Sequence, residues 1–248
     1  MLKKIFHKII GEFIVKSYLK NFNNSFKNPL KYYLYCNTYL KKYISKEVFN
    51  HREYFKLDQR SFGEDAFTTM WFLLFQKFNF NNFLEIGVYR GQTLTLLSLI
   101  AKIHRKPIEC FGISPLIDAN DSVTEYIKIN YEEDVNKHLK FFNIKNVMLL
   151  KEFSNSDKAI AFIQSIEWDC IYIDGSHDLD VVKSDFEVSY KCLKQGGIIV
   201  MDDSSLNIDL FHGQFKGHPG PSYVADHIDS CTMKEFLRVG HNRSFLKL

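Results

Sequence analysis

From residue 83 onward, short apolar stretches alternate with stretches of helical length. The apolar stretches are rich in Ile, Val and Phe, which is typical of strands that helices cover on both faces. An alternating order of strands and helices needs a crossover between successive strands, so the pattern predicts a mostly parallel sheet with right-handed connections. The predicted strands are 83–88, 108–113, 147–151, 169–174 and 198–202.

The last part of the sequence predicts two further strands that pair differently. Residues 233–239 and 243–248 flank Gly240-His241-Asn242, and this arrangement is typical of an antiparallel hairpin. We therefore expect a seven-stranded, doubly wound, Rossmann-like α/β sheet with a C-terminal antiparallel hairpin. The helices predicted between the parallel strands are 91–104, 121–142, 156–166 and 179–193.

Residues 1–59 lack this alternation and are interpreted as an N-terminal helical appendage to a main domain over 60–248. Within 2–22, apolar residues recur at three- and four-residue steps, which predicts an amphipathic helix, and a second helix is predicted over 30–48. Residues 1–46 contain ten Lys and one Glu, a formal charge of +9. Three uses fit this pattern: packing on the main domain, which we favour, formation of a homo-oligomer, or contact with an anionic membrane surface.

The composition limits the class of protein. Of the 248 residues, 46% are hydrophobic and 25% are charged, as in a soluble globular protein. The five cysteines form no C-x-x-C pair, which argues against a zinc site and is typical of free thiols in a reducing compartment. Because the N-terminus does not read as a signal peptide and no apolar run is long enough to span a bilayer, we expect a cytoplasmic protein. No nucleic-acid partner is expected.

Three aspartates stand at the ends of two predicted strands. Strand 169–174 ends in Asp174, and strand 198–202 runs into Asp202 and Asp203. If these strands are parallel neighbours, all three carboxylates emerge on one edge of the sheet. Hard oxygen ligands that converge in this way suit Mg²⁺ or a similar cation. We therefore predict that the three aspartates bind a divalent metal, Mg²⁺ or Mn²⁺.

A glycine-containing turn follows the first predicted strand. Residues 83–91 combine Glu85 near the strand end with Gly87 and Gly91 in the turn before a helix. Glycine lets the backbone approach a ligand without a Cβ, so a bulky residue at Gly87 is expected to occupy the ligand's place and block binding. The turn lacks the G-x-G-x-x-G of dinucleotide sites and the G-K-S/T of phosphate loops. A cofactor without a phosphate tail therefore fits it better.

With these motifs, the chain resembles the class I S-adenosylmethionine-dependent methyltransferases, and more narrowly the group of macrocin-type sugar O-methyltransferases. The resemblance covers roughly residues 60–248. It implies S-adenosylmethionine as the cofactor and metal-dependent methyl transfer to a hydroxyl of a sugar, in a glycan or a glycosylated metabolite. The matching segments are 83–91, 111–115, 168–185 and 193–203, with 217–222 as a weaker match.

The resemblance also implies how the cofactor is held. The glycine turn and the glutamate before it would line the methionine part. An acidic residue after the second strand usually grips the ribose hydroxyls in the family, but Ser114 stands there in this chain, and its neutral hydroxyl hydrogen-bonds less strongly than a carboxylate. Residues after the third strand are therefore included at the adenosine end. The implied cofactor-binding residues are Glu85, Gly87, Tyr89, Gly91, Ser114, Glu152, Ser154 and Asp174.

The chemistry follows from the same resemblance. It implies a metal bound by Asp174, Asp202 and Asp203, and an acid–base residue three positions after Asp174, at His177. A free hydroxyl is a poor nucleophile near neutral pH, so a divalent cation that lowers its pKa and a histidine that takes its proton would both accelerate the reaction. We therefore expect Asp174 and His177 to be catalytic.

Two questions stay open at this point. The general base is His177 or one of four alternatives, His212, His218, Asp178 and Asp180, whereas Asp185 in the middle of a predicted helix is interpreted as structural. The alternatives to sugar methylation are a methyltransferase for a non-sugar small molecule, a related hydroxylase, and a non-catalytic scaffold in glycan assembly.

Overall fold

The structure of the protein is a computed structural model that describes residues 2–117, 127–210 and 213–248, with side chains from residue 9 onward. The described residues form one seven-stranded sheet with helices on both faces. The strands are β1 (Asn82–Ile86), β2 (Glu109–Ile113), β3 (Val147–Leu150), β4 (Trp168–Ile173), β5 (Leu193–Met201), β6 (Met233–Val239) and β7 (Asn242–Lys247).

The strand order is β3-β2-β1-β4-β5-β7-β6. Strands β1 to β5 are parallel, whereas β7 runs antiparallel to both β5 and β6. The predicted doubly wound sheet with a C-terminal antiparallel hairpin is therefore confirmed. The strand order reverses between β1 and β4, and ligands of open α/β sheets bind at such a point.

Ten helices occur among the described residues: α1 (Leu2–Lys20), α2 (Asn24–Lys27), α3 (Pro29–Lys42), α4 (Lys46–Phe55), α5 (Asp65–Phe78), α6 (Gln92–His104), α7 (Tyr131–Phe141), α8 (Asp157–Gln164), α9 (Leu179–Cys192) and α10 (Pro219–Asp226). Helices α6, α8 and α9 follow β1, β3 and β4, and they confirm the helices predicted there. Helix α5, which precedes β1, was not predicted from the sequence.

The helix predicted over 121–142 begins later in the structure. Helix α7 starts at Tyr131, where the side chain of Asn130 accepts a hydrogen bond from the amide of Glu133 at 3.2 Å and caps the helix. Residues 121–126 of the prediction lie outside the described residues. Apolar periodicity alone did not locate this start, because the cap is a polar residue.

The second N-terminal helix, predicted over 30–48, is two helices in the structure. Helix α3 ends at Lys42 and helix α4 begins at Lys46. The break has a local cause, because the hydroxyl of Ser45 accepts a hydrogen bond from the amide of Val48 at 3.4 Å and caps the new helix.

Two buried apolar clusters lie on opposite faces of the sheet. On one face Phe83 packs against Trp71 of α5, with ring centroids 5.4 Å apart, and the cluster extends to α6. On the other face Leu84 and Ile86 pack with residues of α8, α9 and α10. Neighbouring residues of β1 therefore point into different halves of the core, which holds this strand at the centre of the protein.

The N-terminal helices pack on the first of these faces. Val15 and Leu19 of α1 are buried in the same cluster as α5 and α6. The hydroxyl of Tyr32 donates to the carbonyl of Leu19 at 3.1 Å, and the hydroxyl of Thr69 donates to the carbonyl of Cys36 at 2.7 Å. These contacts support packing on the main domain, and the division at residue 59 stays a prediction. Among the described helices, none is both long enough and apolar enough to cross a membrane.

Neighbouring strands end at the same level of the sheet. The register pairs Ile86 of β1 with Ile113 of β2 and with Ile173 of β4, and it pairs Ile173 with Met201 of β5. The residues that follow these strands therefore emerge together on one edge. They are Gly87, Ser114, Asp174 and Asp202.

Candidate active site

A cavity of about 840 Å³ opens at this edge, where the strand order reverses. Its volume lies in the range of pockets that bind cofactor-sized molecules. Most of the residues singled out from the sequence meet here. Those that line the cavity are Glu85, Gly87, Tyr89, Gly91, Ser114, Ser154, Asp174, His177, Asp178, Asp202, Asp203 and His218.

Two residues predicted for the adenosine end have other partners. Glu152 is not among the described residues that line the cavity, and its carboxylate pairs with Lys158 at 2.9 Å. The hydroxyl of Ser114 accepts a hydrogen bond from the amide of Leu116 at 3.2 Å. Because a hydroxyl has one donor and two acceptor positions, Ser114 can still donate to a ligand. The structure thus brings Ser114 to the cavity and leaves Glu152 away from it.

Ser154 joins the cavity wall to a buried carboxyl group. Its hydroxyl donates to Oδ2 of Asp185 at 3.0 Å. Asp185 lies on α9 and is 1% exposed, and burial raises its pKa to about 7, although the bond from Ser154 opposes the rise. Asp185 therefore contacts the cavity only through Ser154, whose orientation it fixes.

Gly87 is the point of closest approach between two strand ends. Its φ is +100°, and a Cβ at this residue would lie 1.9 Å from the carbonyl oxygen of Asp174. The amide of Gly87 also donates to the carbonyl of Ile113 at 2.9 Å. The expectation that a bulky residue here would fill the ligand's place is therefore corrected, because the added atoms would collide with the backbone after β4.

Below this turn, Glu85 presents a carboxyl group to the cavity. It is 4% exposed and accepts hydrogen bonds from the side chain of Thr93 and the amide of Leu94, near the start of α6. Burial raises the pKa of Glu85 to about 8, although these two bonds oppose the rise. Its Oε2 atom has no hydrogen-bond partner in the described part of the chain, so it is available to a polar ligand. Gly91, with φ at +78°, precedes the helix.

Aromatic side chains form another part of the cavity wall. The ring centroid of Tyr89 lies 4.6 Å from that of Phe62 and 5.5 Å from that of Tyr131. Burial raises the pKa of Tyr89 to about 12, so its hydroxyl is uncharged at neutral pH. Phe153 and Phe215 also line the cavity and are each 49% exposed. The cavity therefore combines apolar rings with the polar strand ends.

The carboxyl groups of Asp174 and Asp202 are hydrogen-bonded to each other at the centre of the site. Burial raises the pKa of Asp174 well above its usual range, and the neighbouring carboxylates, Asp202 first, raise it further. Burial and then the charge of Asp203 raise the pKa of Asp202. Like charges this close require a proton or a cation between them.

Three histidines surround the carboxylates after β5. Nε2 of His177 lies 2.9 Å from Oδ2 of Asp203, and Nε2 of His218 lies 3.7 Å from the same oxygen. Nε2 of His241 lies 3.4 Å from Oδ1 of Asp202 and 3.6 Å from Oδ1 of Asp203. Each imidazole is therefore oriented by a carboxylate, which is the arrangement that histidines in proton transfer need.

Two glycines bring His218 to this position. A Cβ at Gly217 would lie 2.0 Å from the carbonyl oxygen of Asp203, and a Cβ at Gly220 would lie 2.1 Å from that of His177. Since only glycine permits contacts this close, the segment before α10 is pressed onto both strand ends. The glycines in the weaker sequence match, over residues 217–222, are therefore required for steric reasons.

The remaining candidate bases are placed differently. Asp178 lines the cavity and is exposed, and its amide donates to the hydroxyl of Ser176 at 3.1 Å. Asp180 is exposed in the first turn of α9 and is not among the described residues that line the cavity. His212 lies outside the described residues. Of the candidates that the structure describes, His177 and His218 are therefore the two in contact with Asp203.

The donor atoms fit a divalent metal in more than one way. The predicted ligands Asp174, Asp202 and Asp203 offer only oxygens, which Mg²⁺ prefers. Oδ1 of Asp202 has no hydrogen-bond partner among the described residues, so one buried acceptor is left for a cation. Among the described residues, the predicted set of three aspartates is not one of the groups whose ligand atoms all lie within 4.8 Å of one another. Two sets meet this distance, and both add nitrogen ligands, which Mn²⁺, Fe²⁺ and Zn²⁺ accept. These sets are His177, Asp203 and His218, and Asp202, Asp203 and His241.

The sequence analysis did not identify His241 and Glu64 as site residues. Glu64, just before α5, accepts a hydrogen bond from the hydroxyl of Tyr33 and another from Nε2 of Gln214. Its Oε1 atom lies 3.9 Å from Nδ1 of His241. The sequence shows His241 only as a turn residue, and its role becomes visible once β7 is placed beside β5, because the hairpin tip then reaches the end of β5.

Residues 84–204 match the family profile of a methyltransferase domain. The matched segment contains the glycine turn and all three aspartates. An uncharacterized protein of Acanthamoeba polyphaga mimivirus, R132, is 31% identical over 125 residues, which cover 49% of this chain. The aligned region spans about half the length of that relative.

Solved methyltransferases have a similar fold at low sequence identity. PaMTH1 of Podospora anserina, solved with S-adenosylhomocysteine bound, has a TM-score of 0.59 at 14% identity, over 85% of this chain and 92% of that one. The O-methyltransferase TomG of Streptomyces achromogenes, in complex with S-adenosylmethionine, has a TM-score of 0.55 at 13% identity, over 86% and 95%. An O-methyltransferase of Bacillus cereus, in complex with S-adenosylhomocysteine, has a TM-score of 0.55 at 15% identity, over 85% and 95%. The chain has a class I methyltransferase fold.

The methyltransferase fold explains why the cavity lies where it does. In such sheets the loops after β1, β2, β3 and β4 surround the reversal of strand order, and here they carry the glycine turn, Ser114, Ser154 and Asp174. The broader part of the expected resemblance, a methyltransferase domain with this fold, is confirmed. The narrower macrocin-type sugar specificity stays a prediction.

Proposed function

We propose that the protein is an S-adenosylmethionine-dependent O-methyltransferase that acts on a hydroxyl of a sugar in a glycan or a glycosylated metabolite. The observation that carries the proposal is the carboxylate–histidine cluster, which opens into the same cavity as the glycine turn. Structures of similar fold hold S-adenosylmethionine or S-adenosylhomocysteine, which supports this cofactor. We also propose a cytoplasmic location, which the free cysteines support.

The cofactor would lie along the strand ends, where it supplies a methyl group on a sulfonium. Gly87 and Gly91 line the place where it would lie, and the carboxyl oxygen Oε2 of Glu85 would accept a hydrogen bond from its polar end. At the other end of the contact surface, the hydroxyl of Ser114 would donate to the cofactor, whereas the hydroxyl of Ser154, which already donates to Asp185, would accept. Tyr89 and its aromatic neighbours would exclude water from one side.

Asp174, Asp202 and Asp203 are the proposed ligands of Mg²⁺ or Mn²⁺. Burial and the neighbouring carboxylates raise the pKa values of Asp174 and Asp202, and a bound cation would relieve the repulsion between these groups. A divalent cation here supplies positive charge that lowers the pKa of a nearby hydroxyl. The aspartates would thus fix both the metal and the side of the cavity on which the acceptor lies.

His177 is the proposed general base. Its contact with Asp203 fixes the orientation of the ring and stabilises the charge that the ring gains when it takes the acceptor proton. His218 is the alternative, because its ring centroid lies 4.3 Å from that of His177 and it approaches the same carboxylate. Either ring would hold the proton next to a negative charge.

The acceptor surface beside this cluster favours a sugar. The ring of Phe215 is half exposed, and its centroid lies 5.3 Å from that of His218 and 5.1 Å from that of His241. A sugar presents C–H groups on its faces and hydroxyls at its rim, so it would place its face on Phe215 and a hydroxyl near His177. This complementarity and the sequence resemblance support the sugar, and a non-sugar alcohol is the outcome to test against.

The test measures cofactor binding and methyl transfer separately. Calorimetry should show binding of S-adenosylmethionine and S-adenosylhomocysteine, with NAD as the control that does not bind. The protein is then incubated with S-adenosylmethionine, Mg²⁺ and two acceptor sets, glycosylated compounds and non-sugar alcohols or phenols, and mass spectrometry records an added methyl group. Methylation confined to the non-sugar set would refute the sugar proposal. If the protein does not bind S-adenosylmethionine, the proposal that it is a methyltransferase dependent on this cofactor is wrong. If it binds the cofactor but transfers a methyl group to no acceptor, a non-catalytic scaffold is favoured.

A further inference from the structure

Helix α1 carries apolar side chains on two faces. Its inner face buries Val15 and Leu19 against the main core. Its outer side carries four more apolar residues, which the helical repeat places together because they are spaced by one, four and five positions. We call these four the outer α1 face. They are Ile9, Ile10, Phe13 and Ile14, with exposed fractions of 60%, 42%, 73% and 48%.

The exposure of this face is not explained by the rest of the fold. Helix α3, which packs against α1 through Tyr18 and Tyr35 with ring centroids 4.7 Å apart, also leaves Leu30 and Leu34 at 40% and 50% exposure. Isolated apolar residues are common on protein surfaces, but a contiguous stripe along one helix marks an interaction site. Something of apolar character is therefore expected to cover the outer α1 face.

The charge around this face is strongly positive. Residues 1–46 contain ten Lys and a single acidic residue, Glu12, whose carboxylate already pairs with Lys16 at 2.5 Å. The whole chain has a net charge of only +3, so the positive charge is concentrated at this end. The exposed lysines of these helices are Lys16, Lys20, Lys27, Lys31, Lys41, Lys42 and Lys46.

We propose that the outer α1 face binds the surface of a membrane that contains anionic lipids. Phe13 and the three isoleucines would enter the headgroup region, and the surrounding lysines would lie near the lipid phosphates. An apolar stripe flanked by lysines is the combination that an interfacial helix requires, whereas either feature alone binds weakly. This proposal does not depend on the methyltransferase function.

Charge distinguishes the membrane from a second copy of this chain. Two copies that met through their outer α1 faces would bring two segments of charge +9 together, and these segments would repel each other. Glu12 offers no compensation because it is paired within its own helix. An anionic lipid surface neutralises the same charge, so it is the occupant that the sequence of this segment favours.

Vesicle co-sedimentation of the full chain tests the proposal. Vesicles of phosphatidylcholine alone are compared with vesicles that also contain phosphatidylglycerol, and binding to the anionic vesicles should be at least about tenfold stronger and should fall at high salt. The variants Phe13→Glu and Ile9→Glu should abolish this binding. Leu57→Glu is the matched control, because Leu57 is 58% exposed but lies outside α1, and it should bind as the unmodified chain does.

Thermal melting of each variant verifies that the fold is intact, which the exposure of all three positions leads us to expect. Equal binding to neutral and anionic vesicles, or unchanged binding of both α1 variants, would overturn the proposal. Light scattering measures the oligomeric state and so tests whether a second copy of the chain covers the outer α1 face instead. If the unmodified chain is a dimer that ignores vesicles, and Phe13→Glu makes it a monomer, a second copy covers the face and the membrane proposal is wrong.

Discussion

Nε2 of His241 lies 3.4 Å from Oδ1 of Asp202, and this contact joins the tip of the β6–β7 hairpin to the end of β5. The other nitrogen of the ring approaches Glu64, which also contacts Tyr33 of α3. His241 is only 7% exposed, so these carboxylates are its immediate polar surroundings. The hairpin is therefore part of the proposed catalytic site as well as the edge of the sheet.

Replacing His241 by Ala should lower kcat and divalent-metal affinity, each by about 10–100-fold, while the Kd for S-adenosylmethionine changes little. The reason is that the ring orients Asp202 and Asp203 and does not form the glycine turn. Kinetics and metal titration by calorimetry give the two values. His227→Ala is the control, because His227 is exposed and its ring stacks on Tyr223, away from the carboxylate cluster. A His241 variant with unchanged kcat and metal affinity would show that the ring is only structural.

Turnover should vanish in excess chelator and return with Mg²⁺ or Mn²⁺. Asp174→Asn and Asp203→Asn should lose both turnover and metal binding measured by calorimetry. Their melting temperatures should not fall, because replacing a carboxylate removes repulsion from the cluster. Asp180→Asn, at the exposed start of α9, is the matched control. Full turnover in a sample freed of metal would eliminate metal-dependent chemistry and leave a histidine acting alone.

Replacing Gly87 by Ala should destabilise the fold more than it affects any ligand. The new Cβ would meet the carbonyl oxygen of Asp174 at 1.9 Å, so the free energy of unfolding should fall by more than about 3 kcal/mol. Gly196→Ala isolates the effect of backbone conformation, because Gly196 also has a positive φ but no atom within 4 Å of its Cβ position. That control should cost about 1 kcal/mol. Chemical denaturation measures both, and equal losses would contradict the steric explanation.

Asp185 should make the protein less stable as the pH rises from about 4 to about 7. Its pKa is about 7 in the folded protein and 3.8 ordinarily, so between these values the folded state holds a proton that the unfolded state has lost. The free energy of unfolding then falls with rising pH, by at most about 1.4 kcal/mol per unit, and levels off above the folded pKa. Asp185→Asn cannot ionise at this position, so its stability should decline less steeply, with the contribution of Glu85, whose pKa is also raised, common to both proteins. Melting curves at several pH values compare the two proteins.

His177→Ala should lower kcat by about 10²–10⁴-fold without changing the Kd for S-adenosylmethionine, because a general base acts on the acceptor. The parallel variants His218→Ala and His212→Ala distinguish the candidates. We expect the largest loss at His177, since its Nε2 is closer to Asp203 than that of His218. A larger loss at His218 or His212 would transfer the role of base to that residue.

The fold could be predicted because its signals are local. The apolar runs that end in Asp174 and Asp202 show where β4 and β5 stop, and the glycines of the first turn show where β1 ends. Helix caps such as Asn130 and Ser45 are also local signals, but the spacing of apolar residues does not reveal them because they are polar. Helix α5 has nine buried residues, but it precedes the alternation of strands and helices from which the other helices of the main domain were predicted.

The site could be predicted only as far as strand ends determine it. Parallel register brings Asp174 and Asp202 together, and this follows from the sequence. The contact of His241 with Asp202 depends on β7 lying between β5 and β6, which no local pattern specifies. Glu152 was predicted in the site because it follows β3, but it is absent from the described lining of the cavity. Proximity to a strand end does not decide where a side chain points, and this one pairs with Lys158. The choice among metal ligand sets likewise depends on side-chain geometry.

The position of β7 has a consequence for how the protein matures during synthesis. This strand follows β6 in the sequence, yet it pairs with β5 and separates it from β6. A nascent chain that has already emerged up to α10 still exposes one edge of β5, beside the aspartates at its end. The carboxylate cluster therefore acquires His241 only after the final hairpin has been translated and has inserted, so a ribosome-bound chain would pass through a state with a bare sheet edge that other chains can pair with.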